Sequence, residues 1–113
     1  MCFRVKNINT NDKGQLSYCE NCKIFHLIFN NLYIDFTPNE LISFQNVIEK
    51  IECEYWETRH NEIFIKRKIP VQTSQPNLCM IFNRDELDSL KDLINCAGTN
   101  LFNILSSLDI NYN

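Results

Sequence analysis

The sequence is poor in the residues that build flexible linkers and phosphate-binding loops. It contains 2 glycines and 3 prolines in 113 residues, and its single alanine is Ala97. So few glycines nearly exclude a glycine-rich phosphate loop, and no dinucleotide or nucleophile-elbow motif is present. The length fits one domain, so we expect a single domain over residues 1–113 with no flexible linker.

The chain also lacks long apolar runs and an excess of positive charge. No run approaches the ~20 apolar residues that span a bilayer, and residues 1–6 contain no continuous apolar stretch of the signal-peptide type. The formal net charge is −3 and the pI is about 5.3, which argues against nucleic acid as a partner. We therefore expect a cytoplasmic protein that does not enter a membrane.

Cysteine is frequent for a chain of this kind. In the cytoplasm thiols stay reduced, so a disulfide framework is not expected. Buried apolar thiols, metal ligands and redox thiols are the remaining roles. The six cysteines are Cys2, Cys19, Cys22, Cys53, Cys79 and Cys96.

The clearest strand pattern precedes residue 37. Two β-type runs, 24–29 and 32–36, flank Asn30-Asn31, and asparagine tolerates the positive φ of a primed hairpin turn. Alternation along the second run predicts a core face and an outer face. The core face comprises Leu32, Ile34 and Phe36, and the outer face Tyr33 and Asp35.

A helix is predicted directly after this hairpin. Thr37 at the N-cap and Glu40 at N3 form a capping box, with Pro38 at the preferred first position. Apolar residues then recur at the spacing of one helix face. They are Leu41, Phe44, Ile48 and Ile51.

The second half of the chain follows the same order. Asn83 and Glu86 repeat the capping pattern before a second helix, which Gly98 ends. Upstream of that cap the patterns predict strands over 53–57, 63–67 and 78–82, with a loop over 70–77.

The two capped junctions match at a constant offset, Phe36 with Phe82 and Glu40 with Glu86. We therefore predict an α+β fold in which a strand–strand–helix unit occurs twice, near residues 24–51 and 65–97. A mostly antiparallel sheet would carry the two helices on one face.

Cys19-Glu20-Asn21-Cys22 is the motif with metal-ligand spacing. Two thiolates so spaced can hold a tetrahedral zinc ion from a tight turn, but they supply only half of a structural site. The motif precedes a strand rather than a helix, which disfavours thioredoxin-like redox chemistry, and incidental thiols are the third reading. Further ligands would have to come through the fold, from His26, His60, Cys2, Cys53 or Cys96.

Two other features have more than one interpretation. Residues 66–68 form the densest basic run, which would either bind an anionic partner or protect an edge strand from aggregation. His26, Tyr33 and Asp35 would share one hairpin face, so a shallow active site there is a further hypothesis. No nucleophile–base pair can be recognised in the sequence to support it.

Three stretches resemble a small uncharacterised family from Bacteroidetes-type bacteria. They are residues 19–41, residues 67–71 (Arg-Lys-Ile-Pro-Val) and residues 78–87. The resemblance covers most of residues 19–97 and implies a bacterial cytosolic protein with no assigned activity. It implies no catalytic residues.

Together these patterns predict a small non-enzymatic cytosolic interaction module of unknown biochemical activity. The partner would be another protein or a second copy of the chain. A short apolar C-terminal helix over residues 99–108, or a sheet edge, would carry the contact, unless that helix closes the core instead. The alternative is a small zinc-binding domain that uses Cys19 and Cys22, and no other cofactor is expected.

Overall fold

A computed structural model of the chain describes residues 5–62 and 64–95. It contains both helices and antiparallel strands, so the predicted α+β class is confirmed. In chain order the elements are β1 Val5–Asn11, β2 Gly14–Cys19, β3 Ile24–Phe29, β4 Leu32–Phe36, α1 Pro38–Glu49, α2 Cys53–Arg59, β5 Ile69–Gln72, β6 Cys79–Phe82 and α3 Arg84–Ile94.

The strands form two separate antiparallel sheets. β1, β2, β3 and β4 pair in chain order to make a four-stranded sheet, and β5 pairs with β6 in a two-stranded sheet. The strand–strand–helix order occurs twice, as β3–β4–α1 and as β5–β6–α3. The two hairpins do not share a sheet. β3 and β4 belong to the four-stranded sheet with β1 and β2, whereas β5 and β6 form a sheet of their own.

Helices α1 and α3 cover one face of the four-stranded sheet. Helix α1 contacts β3 and β4, whereas α3 contacts β1 and β2. Their apolar faces meet the inward side chains of both sheets in one core cluster. Its fully buried members include Leu16, Phe25, Leu27, Phe29, Leu41, Ile48, Ile69, Val71, Leu87 and Leu90.

Tight turns connect the first four strands. Asn30 has a φ of 52°, as expected for a primed hairpin turn, and its N–H donates to the carbonyl of Lys13 at 2.8 Å. Gly14 is required at the neighbouring turn, because a Cβ there would lie 2.0 Å from the carbonyl oxygen of Ile28. The β1–β2 and β3–β4 turns are therefore packed side by side.

Both predicted capping boxes are confirmed. Thr37 Oγ1 accepts from the N–H of Glu40 at 3.2 Å, and Glu40 Oε1 accepts from the N–H of Thr37 at 2.8 Å. Asn83 and Glu86 exchange the same two bonds at 2.8 and 2.9 Å. The same local chemistry thus starts α1 and α3.

The strand predicted over residues 53–57 is wrong, because Cys53–Arg59 is helix α2. Aromatic residues favoured a strand in the sequence, but Trp56 packs against the core from a helix. An ion pair between Glu57 and Arg84 joins this helix to α3, and Arg59 donates to Tyr55 Oη one turn away. Tertiary contacts therefore decide the conformation over the weak strand preference.

The strand predicted over residues 63–67 is also wrong. Residues 64–68 lie outside every strand, and β5 occupies Ile69–Gln72, where a loop was expected. Proline had suggested the loop, but Pro70 occupies a position of β5 at which no N–H is needed for a hydrogen bond to β6. Ile69 and Val71 on either side of it are fully buried.

Two asparagines of β1 attach this edge strand to α3. The Asn9 side-chain amide donates to the carbonyls of Asp92 and Leu93 at 3.0 and 3.1 Å. Asn11 donates to the carbonyl of Ser89 at 2.9 Å. These bonds bridge about eighty residues of sequence, and no local pattern indicates them.

Some sequence predictions fall outside the described residues. They concern the C-terminal helix over residues 99–108, the two cysteines Cys2 and Cys96, and Gly98 as the end of the second helix. No helix within residues 5–62 and 64–95 has the length and apolar character needed to cross a membrane.

Candidate functional site

The Cys-x-x-Cys pair lies at the turn between β2 and β3. Cys19 is the last residue of β2 and is fully buried, whereas Cys22 is exposed. Lys23 turns the chain with a φ of 56°, and its N–H donates to the carbonyl of Cys19 at 2.8 Å. The N–H of Cys22 donates to Cys19 Sγ at 3.4 Å, so the turn directs a donor at one thiol sulfur.

A complete metal site is not found in the part of the chain that the structure describes. No group of three or more histidine, cysteine, aspartate or glutamate side chains there could hold a metal ion. Of the proposed extra ligands, Cys53 begins α2, while His26 and His60 make other contacts. Zinc binding at Cys19 and Cys22 therefore stays a prediction that this geometry does not favour.

His26, Asp35 and Tyr33 do come together, as predicted from hairpin alternation. His26 Nδ1 lies 2.6 Å from Asp35 Oδ1, and Tyr33 Oη lies 2.9 Å from the same nitrogen. His26 faces Asp35 directly across β3 and β4. Because a carboxylate oxygen can only accept, the contact with Asp35 favours a proton on Nδ1.

This cluster holds a histidine in a fixed orientation but offers little surface to a substrate. The His26 residue is only 9% exposed, in contrast to Tyr33 at 61%. A general base must reach the proton that it removes from a substrate. The contacts of the imidazole with Asp35 and Tyr33 are therefore better explained as structural bonds between β3 and β4 than as an active site.

The more open feature is a groove between the two sheets. It has a volume of about 480 Å³, with the β3–β4 turn and the start of β4 on one side and β6 on the other. Leu78 and Ile81 supply exposed apolar surface, at 55% and 45%. Arg67 and Glu86 are its charged lining residues. We call this feature the β6 groove.

One edge of β6 faces away from its partner strand. Because Pro70 has no N–H, the hydrogen-bonded pairs of the β5–β6 ladder must be Ile69 with Phe82 and Val71 with Met80. The backbone N–H and C=O of Ile81 therefore point away from β5. In the described residues β6 pairs with β5 alone, so this edge carries no ladder.

A two-point ion pair lies at the end of the groove. Arg67 Nε and Nη2 each donate to Glu86 Oε2, at 3.1 and 2.9 Å, and Nε also reaches Oε1 at 2.9 Å. The Glu86 side chain is 9% exposed and the Arg67 side chain 55% exposed. The pair therefore holds an exposed guanidinium against a buried carboxylate.

The same contacts shift the ionisation of Glu86. Hydrogen bonds from Arg67 lower its pKa from the ordinary value, burial opposes that shift, and the N–H of Asn83 adds to it. The bonds to Glu86 likewise raise the pKa of Arg67. Both groups therefore stay charged at neutral pH.

Comparison with protein families places this chain. The model of a family of unknown function (DUF6686) matches residues 1–113. The chain belongs to this family. No curated protein and no solved structure matches it.

The expectation of a small uncharacterised family is therefore confirmed, while the bacterial origin stays a prediction. The family carries no assigned role, so the geometry of this member is the basis for a function. The structure also bears on the basic run 66–68, which the sequence analysis interpreted either as an anion-binding segment or as a protected edge strand. These three residues lie in no strand, so the interpretation as an edge strand protected by charge does not apply.

Proposed function

We propose that this chain is a small non-enzymatic interaction module of the cytoplasm that binds an extended segment of a protein partner along β6. The observation that carries the proposal is the outward edge of β6, where the N–H and C=O of Ile81 lie beside the β6 groove. Added strands are a recurring mode of peptide recognition, in which backbone bonds give affinity and side-chain pockets give specificity.

The surroundings of this edge support an added strand. An unpaired edge is prone to pair with another chain, and proteins commonly block it with proline, charge or a covering segment. On β6 the exposed positions are Cys79 and Ile81, which carry no charge, and Leu78 precedes them. An entering segment would therefore meet both backbone donors and apolar surface.

Selection from a displayed library of random nonapeptides tests this function. We expect the wild-type chain to enrich peptides that bind it in solution, as measured by fluorescence anisotropy of the synthetic peptides. Ile81→Pro removes the outward N–H without touching a ladder bond and should weaken binding by about tenfold or more. Failure to enrich any binding peptide would count against the proposal.

A matched control is available on the larger sheet. Ile28 is 42% exposed, close to Ile81 at 45%, but it lies on β3 between two paired strands. Ile28→Ala should leave peptide binding unchanged. Circular dichroism must show that both variants fold. If Ile81→Pro does not fold, the wild-type chain is used instead, and the amides that the peptide protects are mapped by NMR.

Zinc binding at Cys19 and Cys22 is the second candidate, and one contact supports it. The Cys22 N–H donates to Cys19 Sγ, so the turn supplies a hydrogen-bond donor to one of the two proposed ligand sulfurs. Metal analysis of protein purified without added zinc tests it. Less than about a tenth of an equivalent of metal would remove the candidate, since a structural site is filled stoichiometrically.

A further inference from the structure

We infer that the segment bound in the β6 groove is acidic and that a carboxylate side chain of the partner pairs with Arg67. This inference rests on the proposed strand addition to β6. It assigns the chemistry of the occupant and makes Arg67 the residue that determines specificity.

The guanidinium of Arg67 is held in position before any partner arrives. Nε and Nη2 bind Glu86, which fixes the plane of the group, while Nη1 lies outside the pair. The side chain nevertheless remains 55% exposed. A partner carboxylate can therefore approach the Nη1 side without first ordering a flexible side chain, which lowers the entropic cost of binding.

Glu86 does not offer its own oxygens to the groove. Oε1 accepts from the N–H of Asn83 as well as from Arg67, and Oε2 accepts two bonds from Arg67. Its side chain is also 9% exposed. Of this pair, the group left for a partner is therefore the Arg67 guanidinium, a hydrogen-bond donor that complements an acceptor on the partner.

The local charge also favours an anion. Lys66, Arg67 and Lys68 carry three positive charges in succession, and Glu86 is the acidic residue that lines the groove, although the whole chain has a net charge of −3. Lys66 is exposed, and Lys68 Nζ lies 3.4 Å from the carbonyl of Asn61. This positive segment would steer an acidic peptide towards the groove and repel a basic one.

The apolar surface beside Arg67 defines the rest of the occupant. Leu78 and Ile81 are exposed along β6, and side chains of an added strand alternate between its two faces. The occupant is therefore an extended segment with an aspartate or glutamate at the Arg67 end and apolar residues at alternate positions along β6.

The test uses the nonapeptides selected against the wild-type chain. Each enriched peptide is synthesised in two forms, with its acidic residue intact or replaced by the isosteric amide, and binding is measured by fluorescence anisotropy. We expect the amide form to bind about tenfold more weakly to the wild-type chain, because a charge-assisted bond to Arg67 is lost. The difference should shrink to within about twofold in Arg67→Met.

Two control variants keep the result interpretable. Arg67→Lys retains the positive charge but not the planar guanidinium with its several N–H donors. Compared with Arg67→Met, it should show part of the preference for the acidic form. Arg59→Met removes an exposed arginine of α2 whose partner is Tyr55, and it should leave the preference intact. Thermal melts must show that each variant is folded under the conditions of the binding assay.

The outcomes separate the two proposals. Equal binding of the acidic and amide forms to the wild-type chain would overturn the role of Arg67 and leave strand addition intact. Binding of neither form would overturn both. A dimer detected by light scattering that Ile81→Pro converts to monomer would show a second copy of the chain on β6 and overturn the acidic-peptide assignment.

Discussion

The two strand–strand–helix units start from the same local chemistry and end in different surroundings. In the first unit, β3 lies between β2 and β4, and Glu40 of its cap is exposed. In the second unit neither strand has a partner beyond its own hairpin among the described residues, and Glu86 is buried under Arg67. The first unit thus belongs to the four-stranded sheet, with β4 as an outer strand, whereas the second presents a two-stranded sheet and a charged pair.

The largest contrast should appear in amide exchange. Leu27 and Ile28 donate to β4 and β2 respectively, so both of their amides should exchange slowly. Met80 donates to β5, but the amide of Ile81 faces the groove. We expect the Ile81 amide to exchange faster than that of Met80 by about two orders of magnitude or more, as measured by hydrogen exchange and NMR. Similar rates for Met80 and Ile81 would contradict the open edge.

Substitution of the two capping glutamates should separate the units by stability. Glu86→Gln removes the charge that pairs with Arg67, and we expect a cost of about 1–2 kcal/mol, at the low end for a buried pair because Arg67 is half exposed. Glu40→Gln should cost less than about 0.5 kcal/mol, since glutamine also serves at N3 of a capping box. Urea unfolding followed by circular dichroism measures both.

An equal loss of stability in the two variants would show that Glu86 stabilises the fold only as a helix cap and that its pairing with Arg67 adds nothing. Trp56 fluorescence supplies an independent probe of the same transition. Agreement of the two signals would support a two-state reading of the free energies.

The pH dependence of stability should also distinguish Glu86. Its pKa is lowered in the folded chain, so its contribution is complete above the unfolded-state pKa of about 4.3 and is lost as the pH falls through the folded-state value. The stability difference between the wild-type chain and Glu86→Gln should therefore shrink as the pH falls below about 4. A difference that stays constant from neutral to acid pH would contradict the paired carboxylate.

Short-range patterns predicted much of this fold. The two capping boxes need only residues three apart, and both are present. The Asn30-Asn31 hairpin and the shared face of His26, Tyr33 and Asp35 followed from strand alternation. These features depend on local geometry, which the sequence displays directly.

Long-range contacts explain what the sequence did not indicate. Arg67 meets Glu86 across a loop and a hairpin, and the β1 asparagines meet the far end of α3. Helix α2 is stabilised by the packing of Trp56 against the core, most of whose residues belong to other elements. The β6 groove in turn depends on the position of Pro70 in a strand that had been predicted as a loop.

The central claim is that the outward edge of β6 accepts an added strand. Its most direct test is an NMR titration of the isotope-labelled wild-type chain with a selected nonapeptide, followed by amide exchange of the complex. We expect the Ile81 amide to become protected to the level of Met80, with the largest shifts along β6 and at Arg67. A peptide that binds while the Ile81 amide remains unprotected would contradict the claim.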